Sequence, residues 1–150
     1  MESLRKYIPR KKDGFATAIN CIDGRGQKPV TQAIKKDTGA QFVDTVTGPG
    51  IVGGLANGDQ EVIDSAKAQL TISVEKHNSK GIIVGGHASC AGHPVEDNTH
   101  KKDVVAAVAE VRSWDIVRAN DLSVTGVFVE PRKTLFRRRP NSRRWVARKV

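Results

Sequence analysis

Residues 82–86 of this chain read Ile-Ile-Val-Gly-Gly and run into His87. No polar residue alternates with the apolar ones, so a strand here has no face to turn to water and must be covered on both sides. That requirement narrows the fold to a parallel sheet enclosed by helices, and the rest of the chain supplies the parts. Residues 15–21, Phe-Ala-Thr-Ala-Ile-Asn-Cys, form a second buried strand that stops at Asp23-Gly24. Pro29 suits the first turn of a helix over about 29–38, with Val30, Ala33 and Ile34 on one face and a stop near Gly39. A strand over about 41–47 leads into the glycine-rich stretch 48–58. From Asp59 as cap, apolar residues recur at Val62, Ile63, Ala66, Leu70 and Val74, a spacing that predicts a long amphipathic helix to about Asn78. A helix over about 98–114 carries Val104, Val105, Val108 and Val111, and a fourth strand occupies about 123–130.

Strands alternating with helices predict a doubly wound α/β domain, a central parallel sheet with helices on both faces. In such sheets ligands bind beyond the carboxyl ends of the strands, where strand order reverses. With the first strand central, the second on one side and the third on the other, the reversal falls between the first and third. Cys21 and His87 end those two strands.

At 150 residues the chain fits one domain. No stretch approaches the roughly 18 to 20 apolar residues of a membrane span, and Met1-Glu2-Ser3-Leu4-Arg5-Lys6 lacks the apolar core of a secretory signal. A soluble, cytoplasmic protein is expected, with no membrane partner. The net charge of +9 is unevenly placed: Lys and Arg number 25 against 16 Asp and Glu, and residues 131–150 hold nine of the basic residues and no acid. Residues 1–130 therefore carry 16 of each sign and are read as the α/β domain, with 131–150 as a basic C-terminal extension. Clustered arginine gives sequence-independent affinity for phosphate, and Phe136 and Trp145 offer surfaces for base stacking. No reading motif accompanies them. The preferred reading is a solvated extension, or a final strand that packs Trp145 and Val146 onto a partner subunit, rather than a nucleic-acid site.

The chemistry lies in Cys21-Ile22-Asp23-Gly24-Arg25 and His87-Ala88-Ser89-Cys90, which the strand assignment brings to one sheet edge. Two cysteines are too few for a disulfide framework, and in a reducing compartment such a pair is more often buried, catalytic or metal-bound. Two thiolates and an imidazole suit a tetrahedral Zn²⁺, and three protein ligands leave the fourth position for water, the pattern of catalytic zinc. Zinc lowers the pKa of that water to about 7, so hydroxide is available at neutral pH. Asp23 and Arg25 follow the first ligand closely enough to face the same pocket. Arg25 keeps Asp23 ionised through a bidentate contact, and the carboxylate orients the hydroxide; alternatively Asp23 binds the metal itself and closes the site.

Each residue also has a plainer reading. Cys21 alone is a small buried hydrophobe, His87 a hydrogen-bonded strand end, Asp23 and Arg25 a loop ion pair, and Cys21 with Cys90 a disulfide. Both motifs together, on the expected strand ends, favour metal. His77 ends an exposed helix face. His93 and His100 flank the metal-side loop, and for His93 a solvated loop histidine is preferred to a proton shuttle. Gly48-Pro49-Gly50-Ile51-Val52-Gly53 matches G-x-G-x-x-G, but it follows the second strand and contains Pro49, so a tight turn lining the site is preferred to a dinucleotide loop.

C-x-D-x-R followed by H-x-x-C on a parallel α/β core resembles the β-class carbonic anhydrases, over roughly residues 15–130 and with all five key positions matched. The resemblance implies a Rossmann-like three-layer fold with strand order 2-1-3-4. It implies Zn²⁺ on Cys21, His87 and Cys90, with Asp23 and Arg25 as the catalytic dyad, and a homodimer or higher homo-oligomer. The implied activity is reversible hydration of carbon dioxide to bicarbonate by zinc-bound hydroxide. Gly24 stands where serine is common in the family, and Thr47-Gly48-Pro49-Gly50 replaces its Arg-Asn-Ala-Gly segment, which marks a small, divergent member. Two other functions are kept in view: a carbonyl sulfide or carbon disulfide hydrolase of the same architecture, and a non-catalytic zinc-containing regulatory protein whose basic tail engages nucleic acid.

Overall fold

Alternate residues of each strand point to opposite sides of the sheet, and helices cover both sides. The computed structural model describes residues 14–132 and 144–150. In chain order its elements are β1 (Phe15–Cys21), α1 (Gly24–Thr38), β2 (Phe42–Gly48), α2 (Ile51–Ala56), α3 (Gln60–His77), β3 (Ile82–His87), α4 (Asp97–Ser113), α5 (Asp115–Ala119), β4 (Val124–Pro131) and β5 (Trp145–Lys149). The strands form one sheet in the order β2-β1-β3-β4-β5. The first four run parallel and β5 lies antiparallel on β4, with Trp145 opposite Pro131. The expected order 2-1-3-4 thus stands, extended by an edge strand that the chain places on its own sheet. All six residues of β3 are buried, as a strand covered on both faces requires.

Two cores flank the sheet. Ala16 and Ala18 of β1, Ile83 of β3, and Val127 and Val129 of β4 face α1 and pack on Val30 and Ile34. Alternate residues of the same strands, Ile19, Ile82, Val84 and Phe128, join Leu55 of α2, Leu70 of α3 and Val108 of α4 on the other side. This gives the three layers expected, helix–sheet–helix, with α1 the one helix on its face among the described residues.

Where the boundaries differ from the sequence reading, the cause is local. Helix α1 starts at Gly24 rather than near Pro29, because Asp23 caps it by accepting from the Arg25 N–H; Pro29 sits inside the helix. The segment 48–53, expected to be a tight turn, turns only as far as a left-handed Gly50 at φ 58° and then enters the short helix α2. Asp59 caps α3 as expected, accepting from the Glu61 and Val62 N–H groups. No helix among the described residues is long and apolar enough to cross a membrane. Phe136 and the run Arg137–Arg139 lie outside the described residues.

Gly85 is the tightest point between α1 and the sheet: a Cβ there would lie 2.7 Å from Val30 Cγ2. Gly85→Ala must push α1 outward and is expected to cost about 1–3 kcal/mol, read as a lower denaturation midpoint with an unchanged m-value.

Candidate metal centre

β1 and β3 are hydrogen-bonded neighbours with Asn20 opposite Gly85, so the strand ends Cys21 and His87 emerge at one edge. The turn after β3 brings Cys90 to them. One donor atom from each of Cys21, His87 and Cys90 lies within 4.8 Å of the other two. All three residues are buried, at 6%, 2% and 5% exposure.

Whether this set fits a metal can be tested on its own geometry. The two cysteines are free thiols with sulfurs 3.8 Å apart. A tetrahedral ion with metal–sulfur bonds of about 2.3 Å separates two sulfurs by about 3.8 Å. His87 Nδ1 donates to the Ala88 carbonyl at 2.9 Å; a carbonyl only accepts, so the proton sits on Nδ1 and the lone pair on Nε2. That Nε2 is buried without a hydrogen-bond partner among the described residues. An orphaned buried acceptor is costly, and a cation satisfies it. Burial, and then the neighbouring Cys21, push the Cys90 thiol above its usual range. Two thiolates this close in a buried site need a cation between them. The residues fit a soft divalent ion of zinc's preferences.

Backbone groups hold the donors in place. The Gly50 N–H donates to Cys21 Sγ at 3.4 Å, and Gln27 Nε2 donates to the Cys21 carbonyl at 2.7 Å. The turn after β2 and the turn after β3 touch backbone to backbone here: a Cβ on Gly50 would lie 2.2 Å from the Gly92 carbonyl oxygen, and one on Gly92 2.5 Å from the Gly50 nitrogen. The G-x-G-x-x-G pattern therefore aims an N–H at a sulfur and makes room for the neighbouring loop.

Asp23 and Arg25 sit beside the donors at the start of α1. Arg25 Nε donates to Asp23 Oδ1 at 2.9 Å and Nη2 to Oδ2 at 2.7 Å, so both carboxylate oxygens are engaged by one guanidinium. Arg25 Nη2 also donates to the Ser89 carbonyl at 3.2 Å, across to the loop carrying Cys90. The Arg25 hydrogen bonds, with burial opposing them, hold the Asp23 carboxyl down to about 2, where it is ionised at any physiological pH. The side chains of Arg25 and Asp23 are 41% and 22% exposed, so the pair forms the open lip of a buried donor set.

His93 departs from the sequence reading, and His100 beside it is buried as well. His93, expected to be solvated, has a side chain only 13% exposed, with Nε2 2.7 Å from Asp103 Oδ2. It is held because Gly53 leaves room for its ring: a Cβ there would meet Nδ1 at 2.3 Å. His100 is buried at 2% exposure, edge-on to both His93 and Phe128. His77 ends α3 as expected and pairs with Asp44. Nothing in the sequence ties Gln27, Ser89 or Trp145, over whose ring Arg25 lies, to the Asp23–Arg25 end of the site, because each reaches it through tertiary contact.

A family model described as "Putative carbonic anhydrase" matches residues 11–136. The chain belongs to that family. Its fold agrees. A tetrameric β-carbonic anhydrase from the filamentous ascomycete Sordaria macrospora superposes with a TM-score of 0.55 at 16% identity, over 79% of this chain and 76% of the other. β-Carbonic anhydrase isoform I from the protozoan Trichomonas vaginalis gives 0.51 at 13% identity, over 87% and 80%. Identities this low establish likeness of fold alone, the Rossmann-like α/β arrangement, and mark a divergent member of the carbonic anhydrases. Among curated proteins none matches this chain in sequence.

Two outcomes follow from this geometry. Gly50→Ala places a side chain at positive φ and against Gly92, so it is expected to cost more than the roughly 1–2 kcal/mol of the left-handed conformation alone and to lower metal affinity, measured by metal-exchange titration. Burial, reinforced by the neighbouring His93 and His87, which disfavour a further positive charge, and opposed by Asp103 and Asp97, holds His100 down to about 4. The unfolded chain therefore binds the extra proton first, and stability is lost as pH falls from about 6.5 to about 4, by on the order of 3 kcal/mol. Chemical denaturation across that range should show the decline, flattened in His100→Leu.

Proposed function

We propose that this protein is a zinc-dependent carbonic anhydrase that interconverts carbon dioxide and bicarbonate, with Zn²⁺ on Cys21, His87 and Cys90 and with Asp23 and Arg25 as its catalytic pair. The observation that carries this reading is the buried three-donor set, at the sulfur separation a tetrahedral ion needs, in a carbonic anhydrase-family fold. Bound zinc supplies a water activated at neutral pH.

The chain's own residues do the rest. Cys21 and Cys90 contribute anionic donors that offset the ion's charge, and His87 contributes a neutral one whose ring is fixed through Nδ1. Burial of all three keeps bulk water from competing at the centre. Asp23, ionised and acceptor-only, takes a hydrogen bond from the attacking water and sets the direction of its lone pair toward carbon dioxide. Arg25 holds both Asp23 oxygens and so fixes where that acceptor points. The tetrameric assembly of the Sordaria relative supports a homo-oligomer here as well.

Stopped-flow pH-indicator assays on verified zinc-loaded protein should show carbon dioxide hydration. Cys21→Ser should abolish it together with stoichiometric zinc. Asp23→Asn should keep the zinc and lose on the order of 10- to 100-fold in kcat/KM. A zinc-loaded wild-type protein inactive across about pH 7 to 9, where zinc-activated water is available, overturns the reading.

A further inference from the structure

Arg25 is held on more sides than an ion pair needs. Its edge bonds both oxygens of Asp23 and the Ser89 carbonyl. It also meets an aromatic ring: the guanidinium carbon lies over Trp145, 4.9 Å from the centre of the ring. Trp145 opens β5 and pairs with Pro131 of β4, while β4 in turn pairs with β3, where Val129 lies opposite His87. The ring is half-buried and packs against both hydrophobic cores. The last strand of the chain is thus tied through the sheet to the strand bearing His87, and it returns an aromatic surface to the residue that grips Asp23.

We propose that Trp145 is a positioning residue for the Asp23–Arg25 pair, fixing the plane of the Arg25 guanidinium so that its two donors stay directed at Asp23. The proposal rests on the reading of that pair as catalytic. A planar, weakly hydrated guanidinium stacks on an indole face, and the contact limits rotation about the last side-chain bonds without using any N–H. Bidentate pairing requires that limit, since a guanidinium turned out of the carboxylate plane keeps one bond at most. Trp145 also lines a cavity of about 680 Å³ together with Pro29, Ala33, Lys36, Arg144 and Lys149.

The test uses the full-length, zinc-loaded chain and two readouts. The first needs no activity: the Arg25 Nε–H signal in ¹⁵N-resolved NMR, shifted by the ring current and slowed in exchange. Trp145→Leu should move this signal toward the free-arginine position and speed its exchange, while Trp145→Phe keeps part of the shift. The second is kinetic. With zinc content unchanged, Trp145→Leu should lower kcat/KM for carbon dioxide hydration roughly 3- to 30-fold, mainly in kcat, with partial recovery in Trp145→Phe. If Trp145→Leu fails to fold, Arg25→Ala gives the reciprocal reading: the Trp145 indole N–H signal should move and that of Trp114 should not. An unmoved partner signal in the variant that folds overturns the proposal, whatever the activity. A moved signal with unchanged kcat/KM overturns it too, since the contact then positions nothing. A moved signal in a zinc-loaded wild-type protein without hydration activity supports the contact while removing the catalytic reading on which its role rests.

Discussion

Three buried donor atoms that converge on one point govern the rest of this structure. Among the described residues His87 Nε2 has no partner, and the sulfurs of Cys21 and Cys90 meet each other and backbone N–H groups, that of Gly50 at Cys21 and those of Gly92 and His93 at Cys90. A fold that brings them together without a cation would carry the cost of an unsatisfied nitrogen and of a Cys90 thiol whose ionisation is hindered by burial and then by Cys21. With a cation, the same features become assets. The lone pair is already on the outer nitrogen, and the sulfur spacing is already that of a tetrahedral ion. Metal binding and folding are coupled wherever ligands converge only in the native chain, and here they come from two strand ends and a turn.

The convergence has a backbone requirement that side-chain chemistry does not reveal. For Cys21 to receive the Gly50 N–H, the turn after β2 must approach the turn after β3 more closely than any Cβ allows, and glycine stands at both points of contact. Gly53 repeats the device one helical turn later, where it admits the His93 ring, and Gly85 repeats it under α1. Glycine in a strand or a helix weakens it, so each position is maintained for the approach it permits.

The sequence made the frame and the ligands legible because both are local. β3 announces its double burial by having no polar alternate, α3 announces itself by period and cap, and Cys21 and His87 are simply the last residues of recognisable strands. What escaped depends on distance in the chain. The start of α1 was displaced because Asp23 was weighed as a functional residue, while its second role as cap sets the helix five residues ahead of Pro29. The helix within 51–56 escaped because its glycines argue for a turn until their packing partners are known. His93 reads as a loop residue until Asp103, one helical turn beyond His100 on α4, is placed against it. Trp145, in a basic stretch at the far end of the chain, has no feature that points to Arg25; only the antiparallel return of β5 along β4 carries it there.

On the proposed reading, Asp23 is subject to a competition that its neighbours decide. A carboxylate two residues from a metal ligand is an available fourth donor, and if it turned to the ion the position needed for water would close. What opposes this is the number of ties on the other side. Asp23 caps α1 through the Arg25 N–H, engages the guanidinium with both oxygens, and that guanidinium is itself bonded to Ser89 and stacked on Trp145. Releasing Asp23 would uncap a helix and break a bidentate pair at once, and the pair is only partly exposed, so water screens it less than a surface ion pair. The open coordination position is therefore a property of α1, the Cys90 loop and β5 acting together, rather than of the three ligands alone.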